Sequence, residues 1–365
     1  MNQYSILKHT QRFSTNQDCV DYLVRVRWNN NPQCPSCGND KLNYYLSSRK
    51  IYKCSGCYKQ FSIIQGTIFE RSKIPLTKWF LAIYFFTINK RGISSYQLAK
   101  LLDVKQQTAW FMMHRLREAL KEENEIVLSG IVEADETFVG PKINRDTRLQ
   151  REMKNHYDEQ DRIHGLSDEK KKTLRGFPIR GGRAKGDTKE VLAQKKLEKE
   201  SKGKRVPFER NTIVFNITEQ NDGRMIMKKI GNSRASLTKS NVNPLLQKHT
   251  SNESVLITDQ SKIYNDAKNM FVEHKTVNHD IGYVLNGIHI NNAENIWNHL
   301  KRMIDGTYFH LSYHHFDRYL NEYTYRWNRR KETEQSLFDS FMPLVAGKRI
   351  TYEKLIKREP DKLVA

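Results

Sequence analysis

The sequence predicts an α/β chain with a small cysteine-stapled module and a helical segment ahead of a larger mixed-sheet domain. Three observations predict it. Four of the five cysteines fall as two C-x2-C pairs between positions 34 and 57. Residues 75–124 carry apolar positions at helical spacing. Beyond residue 128, short strand-like runs (Gly130 to Asp135, Asn211 to Ile217, Ser254 to Asp259) precede a long amphipathic helical section from about 292 to 328. The resulting division is a helical lead-in at 1–30, the cysteine module at 31–70, the helical segment at 71–125, an α/β domain at 128–330 and a helix-prone charged tail at 331–365.

The first module rests on Cys34-x2-Cys37 and Cys54-x2-Cys57, sixteen residues apart. Each pair makes a tight knuckle, and two knuckles aim four thiolates at one tetrahedral centre. Zinc suits four sulfur ligands because it imposes no competing geometry and does no redox chemistry. Strand-like pieces at Leu42 to Leu46, Ile51 to Lys53 and Phe61 to Ile64 give the module the character of a zinc ribbon. With all four positions filled by protein, the expected metal is structural zinc, which supplies folding energy to a module too small to hold itself together. Cys19 reads as a small core residue.

In the second segment Ser94 or Ser95 caps a helix through Leu102. A short turn follows, and a second helix runs from Gln106 to Leu120. This resembles a helix-turn-helix, with Gln106, Gln107 and Thr108 placed to reach base edges and Arg115 and Arg117 expected on the outer face to hold phosphates. Paired amphipathic helices with a short turn also occur in helical domains that touch no DNA.

Composition narrows the partner. Lys and Arg number 62 against 41 Asp and Glu, a net charge of +21. An excess of this size favours a polyanion, most simply nucleic acid. Part of it lies in 142–207, where 20 basic residues face 11 acidic ones; this reads as a solvated insertion. The longest apolar run, Trp79 to Ile88, falls short of the ~20 residues a bilayer helix needs, so no membrane role is expected. The polar stretch Met1 to Gln17 does not read as a secretory signal, and five cysteines make no disulfide scaffold.

Three carboxylates stand out by position. Asp135 and Asp259 end apolar strand-like runs, and Glu294 lies near the start of an amphipathic helix whose stripe is Ala293, Ile296/Trp297, Leu300 and Met303/Ile304. Lys301, seven residues on, shares the face of Glu294. Strand-end carboxylates often simply meet solvent. Taken together, two strand ends and a helix bring the oxygens needed to hold two divalent cations, magnesium first and manganese as an alternative, for phosphodiester chemistry.

Several pieces now add up: the two cysteine pairs with Gln65-Gly66-Thr67, Thr108-Ala109-Trp110 running to His114-Arg115-Leu116-Arg117, Ala134-Asp135-Glu136-Thr137-Phe138-Val139-Gly140, Ile257-Thr258-Asp259, His289-Ile290-Asn291-Asn292-Ala293-Glu294 with Leu300-Lys301-Arg302, and Arg318-Tyr319-Leu320 with Arg326-Trp327-Asn328-Arg329-Arg330. In these the chain resembles bacterial insertion-sequence transposases that join a zinc ribbon to an RNase H-like catalytic domain of the DDE, ISXO type. The resemblance implies an RNase H-like mixed sheet flanked by helices, magnesium at the active site, and cutting and joining of double-stranded DNA at the ends of a mobile element. It implies Asp135 and Asp259 as the two aspartates and Glu294 as the third acid. Asn291 is the other candidate for that third place, and Lys301 with Arg302 would contact DNA. Such a protein would work as a homodimer or higher multimer on DNA, in the bacterial cytoplasm at the nucleoid. A rival of another class is a zinc-ribbon and helix-turn-helix DNA-binding regulator whose RNase H-like half is not catalytic.

Overall fold

The computed structural model describes residues 4–121, 126–140, 147–163, 212–232, 236–277, 284–285, 288–289, 291–309 and 311–357. Most of the charged stretch 142–207, and His279, lie outside them.

Helices α1 (Ile6–Arg12) and α2 (Asn16–Trp28) form the lead-in. Thr15 and Asp18 close a capping box on α2, satisfying two of its orphan N–H groups. The ribbon follows as β1 (Asn43–Leu46), β2 (Ile51–Cys54) and β3 (Gln60–Phe61), an antiparallel three-stranded sheet in that order. Helix α3 (Leu76–Ile88) is apolar nearly all round and accordingly buried on several sides. Next come α4 (Ser95–Leu102) and α5 (Gln106–Ala119). Ser94 caps α4, and Asp103 ends it in the left-handed region (φ 49°).

The α/β domain holds one five-stranded sheet. Its strands are β4 (Ile131–Val139), β5 (Thr212–Glu219), β6 (Met225–Gly231), β7 (Val255–Asp259) and β8 (Glu273–Val277), in the order β6-β5-β4-β7-β8. β5 and β6 are antiparallel, while β4, β7 and β8 run parallel. This is the mixed sheet that the resemblance implies. β4 is central, and buries Val132, Glu133 and Ala134 in succession. Helix α7 (Lys239–His249) lends Val242 and Leu246 to the core beneath the sheet, with Phe215, Leu256 and Tyr264. A helix α6 (Thr147–Ile163) belongs to a second compact unit, 139–212 with 232–234, and carries a Glu159–Arg162 ion pair at 3.3 Å. A two-residue pair, β9 (Val284–Leu285) with β10 (Ile288–His289), precedes helix α8 (Asn291–Met303).

Two expected helical regions are helical, and the structure adds detail to each. The section 292–328 is not one long helix. α8 passes into a π-helical turn at Ile304–Tyr308, and a 3-10 turn at Tyr313–His315 leads into α9 (Phe316–Asn328). Gly306 and the left-handed Phe309 (φ 56°) sit at this break. The region 331–365 is also no detached tail. Its helix α10 (Glu334–Phe341) and the 3-10 turn Met342–Val345 insert Phe338, Phe341, Met342 and Val345 into the same core as Phe13, Phe80 and Phe86. The backbone then stitches to the end of the ribbon: Ile68 N–H donates to Val345 O at 2.9 Å and Gly347 N–H to Gly66 O at 2.8 Å. A short helix α11 (Tyr352–Ile356) ends the described chain.

Buried histidines make this helical core sensitive to acid. His9 is fully buried, stacked on Tyr84 at 4.6 Å, and burial pushes its imidazole down to about 4. Burial likewise lowers His114, and His315 to about 4. The unfolded chain takes up protons near pH 6.5 that the folded one refuses, so stability is lost as pH falls from about 6.5 through 4. His9 alone should contribute on the order of 3 kcal/mol to that loss. Thermal midpoints measured from pH 7 to 4.5 should fall steeply, and less steeply in His9→Phe. Equal slopes would remove His9 from the account.

Candidate metal centre and acidic site

At the ribbon the structure gathers Cys34, Cys37, Cys54 and Cys57 with their ligand atoms all within 4.8 Å of one another. The Sγ atoms of Cys34 and Cys57 are 3.7 Å apart, and those of Cys37 and Cys54 3.6 Å. A tetrahedron with metal–sulfur bonds of ~2.3 Å has edges of about 3.8 Å, so the four sulfurs already stand close to zinc's own spacing. Gly38 (φ 72°) supplies the left-handed turn after the first knuckle, and Tyr58 (φ 60°) takes the equivalent place after the second. The N–H groups of Gly56 and Cys57 point at Cys54 Sγ at 3.3 and 3.4 Å. Led by the Cys57 N–H, these contacts hold the Cys54 thiol down to about 6, near the thiolate form a metal requires. Trp28 of α2 meets Tyr52 and Phe61 of the ribbon edge-on, each at 5.9 Å. Cys19 is buried in the helical core, its thiol pushed up to about 12, and takes no part.

Removing the metal should therefore unfold the ribbon. A thiol-reactive chelator is expected to release one zinc per chain and to bring amide exchange at Ile51–Cys54 to the rate of an unstructured peptide, while α3 stays protected. Retained protection in metal-free protein would show that the sheet holds without its staple.

The acidic site is built from strand register. β4 and β7 pair in parallel with Ile131 opposite Val255 and Glu133 opposite Ile257. That pairing ends at Glu133 and Ile257, and Asp135 and Asp259 each lie two residues beyond it on these adjacent strands. Side chains alternate faces along a strand, so both aspartates stand on the face that carries Glu133 and Ile257. Helix α8 docks on that face. The buried Glu133 carboxylate accepts from Ala293 N–H at 3.1 Å and from Asn292 Nδ2 at 2.9 Å, so strand β4 caps the helix that carries Glu294. Gln220 Nε2 donates to the same carboxylate at 2.8 Å. One turn beyond Glu294, Trp297 Nε1 donates to Asp135 Oδ2 at 2.7 Å. Ile257, two residues before Asp259, shares a small apolar cluster with Ala293. Three residues separate Glu294 from Trp297, so both project from the same side of α8.

Around the aspartates the site is crowded with negative charge. Asp259 Oδ1 accepts from Ser261 N–H at 3.0 Å, and Asp135 Oδ1 from Glu136 N–H at 2.8 Å. Burial, then the nearby Asp259 and Asp135, push the Glu136 carboxyl up to about 7, although Tyr264 donates its hydroxyl to it. Hard carboxylate oxygens are the donors magnesium takes, so the residue types fit that ion. The three acids do not close on one another as the cysteines do: among the described residues, the cysteine cluster is the set of metal-ligating groups gathered within 4.8 Å. Lys301 and Arg302 are exposed near the end of α8. Asn291 opens that helix. Sequence reasoning does not single out Glu133, Glu136, Trp297 or Tyr264, although side-chain alternation along the strand puts Glu133 on the face of Asp135.

In the helical pair the expected outer face is partly wrong. Gln107 is exposed and Thr108 half-buried, while the Gln106 amide is tied to Ser95 Oγ at 2.8 Å. Arg115 and Arg117 do not face outward. Arg115 reaches back to the carbonyls of Ile68 (2.9 Å) and Glu70 (3.1 Å), and Arg117 is buried against Glu322 at 2.6 Å. Neither guanidinium can reach a phosphate from there, because α5 is covered on that side by α9 and by the chain that leaves the ribbon.

Comparison with known proteins gives two family matches: residues 14–60 match the transposase zinc-ribbon domain, and 180–328 match the ISXO2-like transposase domain. Asp259, Asn291, Glu294, Lys301 and Arg302 lie inside the second match; Asp135 lies ahead of it. A protein in the transposable element ISH50 of Halobacterium salinarum is 35% identical over 129 residues, 35% of this chain and 43% of that protein. The chain thus aligns with less than half the length of that relative. No solved structure matches. Among the described residues, no helix is long and apolar enough to cross a membrane.

Proposed function

Since residues 180–328 match the ISXO2-like transposase domain and residues 14–60 the transposase zinc-ribbon domain, we propose that the chain binds the terminal inverted repeats of its own mobile element, cuts a phosphodiester at each end and joins the freed 3′ end to a target strand. The observation that supports this reading is that Asp135 and Asp259 each lie two residues beyond the paired register of adjacent parallel strands, with the helix of Glu294 hung from β4 by Glu133. Asp135, Asp259 and Glu294 would hold magnesium, which when bound supplies the positive charge that favours an attacking oxygen and a departing one. Trp297 fixes the Asp135 carboxylate, and Ser261 N–H fixes Asp259. Lys301 and Arg302 lie where a DNA backbone would pass along α8. Asn291 is the first residue of that helix.

End recognition falls to the ribbon and to the start of α5. Gln107 and Thr108 are the side chains there that remain available to base edges, and zinc at the four cysteines keeps the ribbon folded. Exchange of one phosphodiester for another is close to energy-neutral, so no nucleotide hydrolysis is called for. Two element ends require at least two copies of the chain. The test is incubation of the purified protein with element-flanking DNA and magnesium, with products resolved by strand. Joined product supports the reading, nicking without joining reduces it to a nuclease, and metal-independent binding alone would leave a DNA-binding regulator.

A further inference from the structure

Immediately beyond Asp259 lies a cavity of about 600 Å³, between β8 and the 3-10 segment Lys262–Asn269. Gln260, Ser261, Asn265, Lys268, His274 and Thr276 line it. Gln260, Ser261, Asn265, Lys268 and Thr276 each bring an N–H or O–H donor, and none of the six is a carboxylate. The nearest acid on the same segment, Asp266, is already engaged by Lys239 Nζ at 2.6 Å. Lys268 makes no ion pair with any described residue. The result is a concave wall of donors around one unneutralised ammonium, the chemistry of an anion site. Its volume is that of pockets which hold a nucleotide-sized group rather than a bare ion.

The cavity wall is fixed to the acidic site. Ser261 donates its N–H to Asp259 Oδ1, and the Thr258 hydroxyl donates to the Asp259 carbonyl at 2.8 Å. That hydroxyl proton is thereby committed, so His274 Nε2, 2.9 Å away, is the donor to Thr258 Oγ1. A ligand in the cavity is thus held in a set relation to Asp259.

We propose that this cavity is a phosphodiester subsite: it takes a backbone phosphate of the DNA strand that passes the aspartates, one step along from the reacting position. The proposal rests on the reading of Asp135 and Asp259 as a centre of DNA chemistry, and it names where that strand is gripped. Lys268 supplies the charge, and Asn265 and Ser261 supply the hydrogen bonds.

The test reads binding alone, so it stands apart from any failure of catalysis. Full-length protein and its Lys268→Gln and Asn265→Ala variants are titrated with element-end duplex over a range of salt. Loss of one phosphate contact should make the slope of log K against log salt shallower by about 0.9 in Lys268→Gln and weaken binding about tenfold at low salt. Asn265→Ala should weaken binding with the slope unchanged. Methylphosphonate replacement, one phosphate at a time, should find a position whose neutralisation harms the parent protein and not Lys268→Gln. An unchanged slope and affinity in Lys268→Gln would overturn the proposal. So would a loss spread evenly over all positions, which marks a diffuse surface charge. Inorganic phosphate that raises the thermal midpoint of the parent but not of Lys268→Gln, with DNA isotherms unaltered, would assign the cavity to a free phosphate and overturn it too. A parent protein that binds DNA yet never cuts it sinks the catalytic reading and leaves these outcomes as decisive as before.

Discussion

Asp259→Asn should bind element-end DNA as tightly as the parent protein and cleave it about a thousandfold more slowly. The substitution keeps the size and the Ser261 N–H contact of the carboxylate oxygen while removing its charge. A cation bound between strand ends supplies several kcal/mol of transition-state stabilisation, and about 4 kcal/mol corresponds to a factor near a thousand in rate. Asp135→Asn should behave alike, and the double variant should be little worse than either, because groups that act as one unit are not additive. Glu133→Gln is the contrasting case. It leaves both aspartates in place but loosens the cap on α8, so a smaller loss is expected, partly restored at higher magnesium. The measurements are single-turnover cleavage and a DNA-binding isotherm on each variant. Parent-like cleavage by Asp259→Asn would remove the acidic site from the reaction.

The largest effect on stability is expected at Glu322. Its carboxylate is fully buried and receives Arg117 from α5 and Arg326 from its own helix, with the Tyr308 hydroxyl as a third donor. Arg117 also lies over the Tyr319 ring at 3.9 Å, and Arg326 donates to the Phe86 carbonyl. Glu322→Gln leaves two buried guanidinium groups without an opposing charge. Breaking such a pair from one side costs about 3–5 kcal/mol, or roughly 10 °C in thermal midpoint for a domain of 150–250 residues. Calorimetry would show it. Replacing Arg117, Arg326 and Glu322 together by apolar residues of similar volume should recover much of the loss, since the desolvation of all three charges is then avoided. A midpoint within a degree or two of the parent in Glu322→Gln would mean that water reaches the cluster.

These two regions also show what a bare sequence discloses. The cysteine spacing announces the ribbon because the metal dictates both spacing and residue type. β7 is legible because it is an apolar run closed by an acid; β4 is legible only in its first half, because the strand does not end at Asp135 as expected but runs four residues further to Val139. α8 is legible because Ile296, Trp297, Leu300 and Met303 repeat at helical period and are indeed buried. β8 is not legible: an edge strand reading Glu273-His274-Lys275-Thr276-Val277 has little to bury and so no apolar signature. Arg115 and Arg117 are misplaced by the sequence pattern because helical period gives a face but not its covering. Their buried surroundings come from Glu322, Tyr319 and the carbonyls of Ile68 and Glu70, contributed by other parts of the chain. The place of Glu133 is hidden for the same reason, as its role exists only once α8 has docked.

The C-terminal segment that closes the helical core carries a consequence for biosynthesis. Phe338 and Phe341 fill space beside Phe13, Phe80 and Phe86, so helices α1 and α3 wait for the much later α10 to be synthesised before their interior is filled. A chain interrupted before Leu337 would carry an open apolar seam, fit for chaperones and proteases.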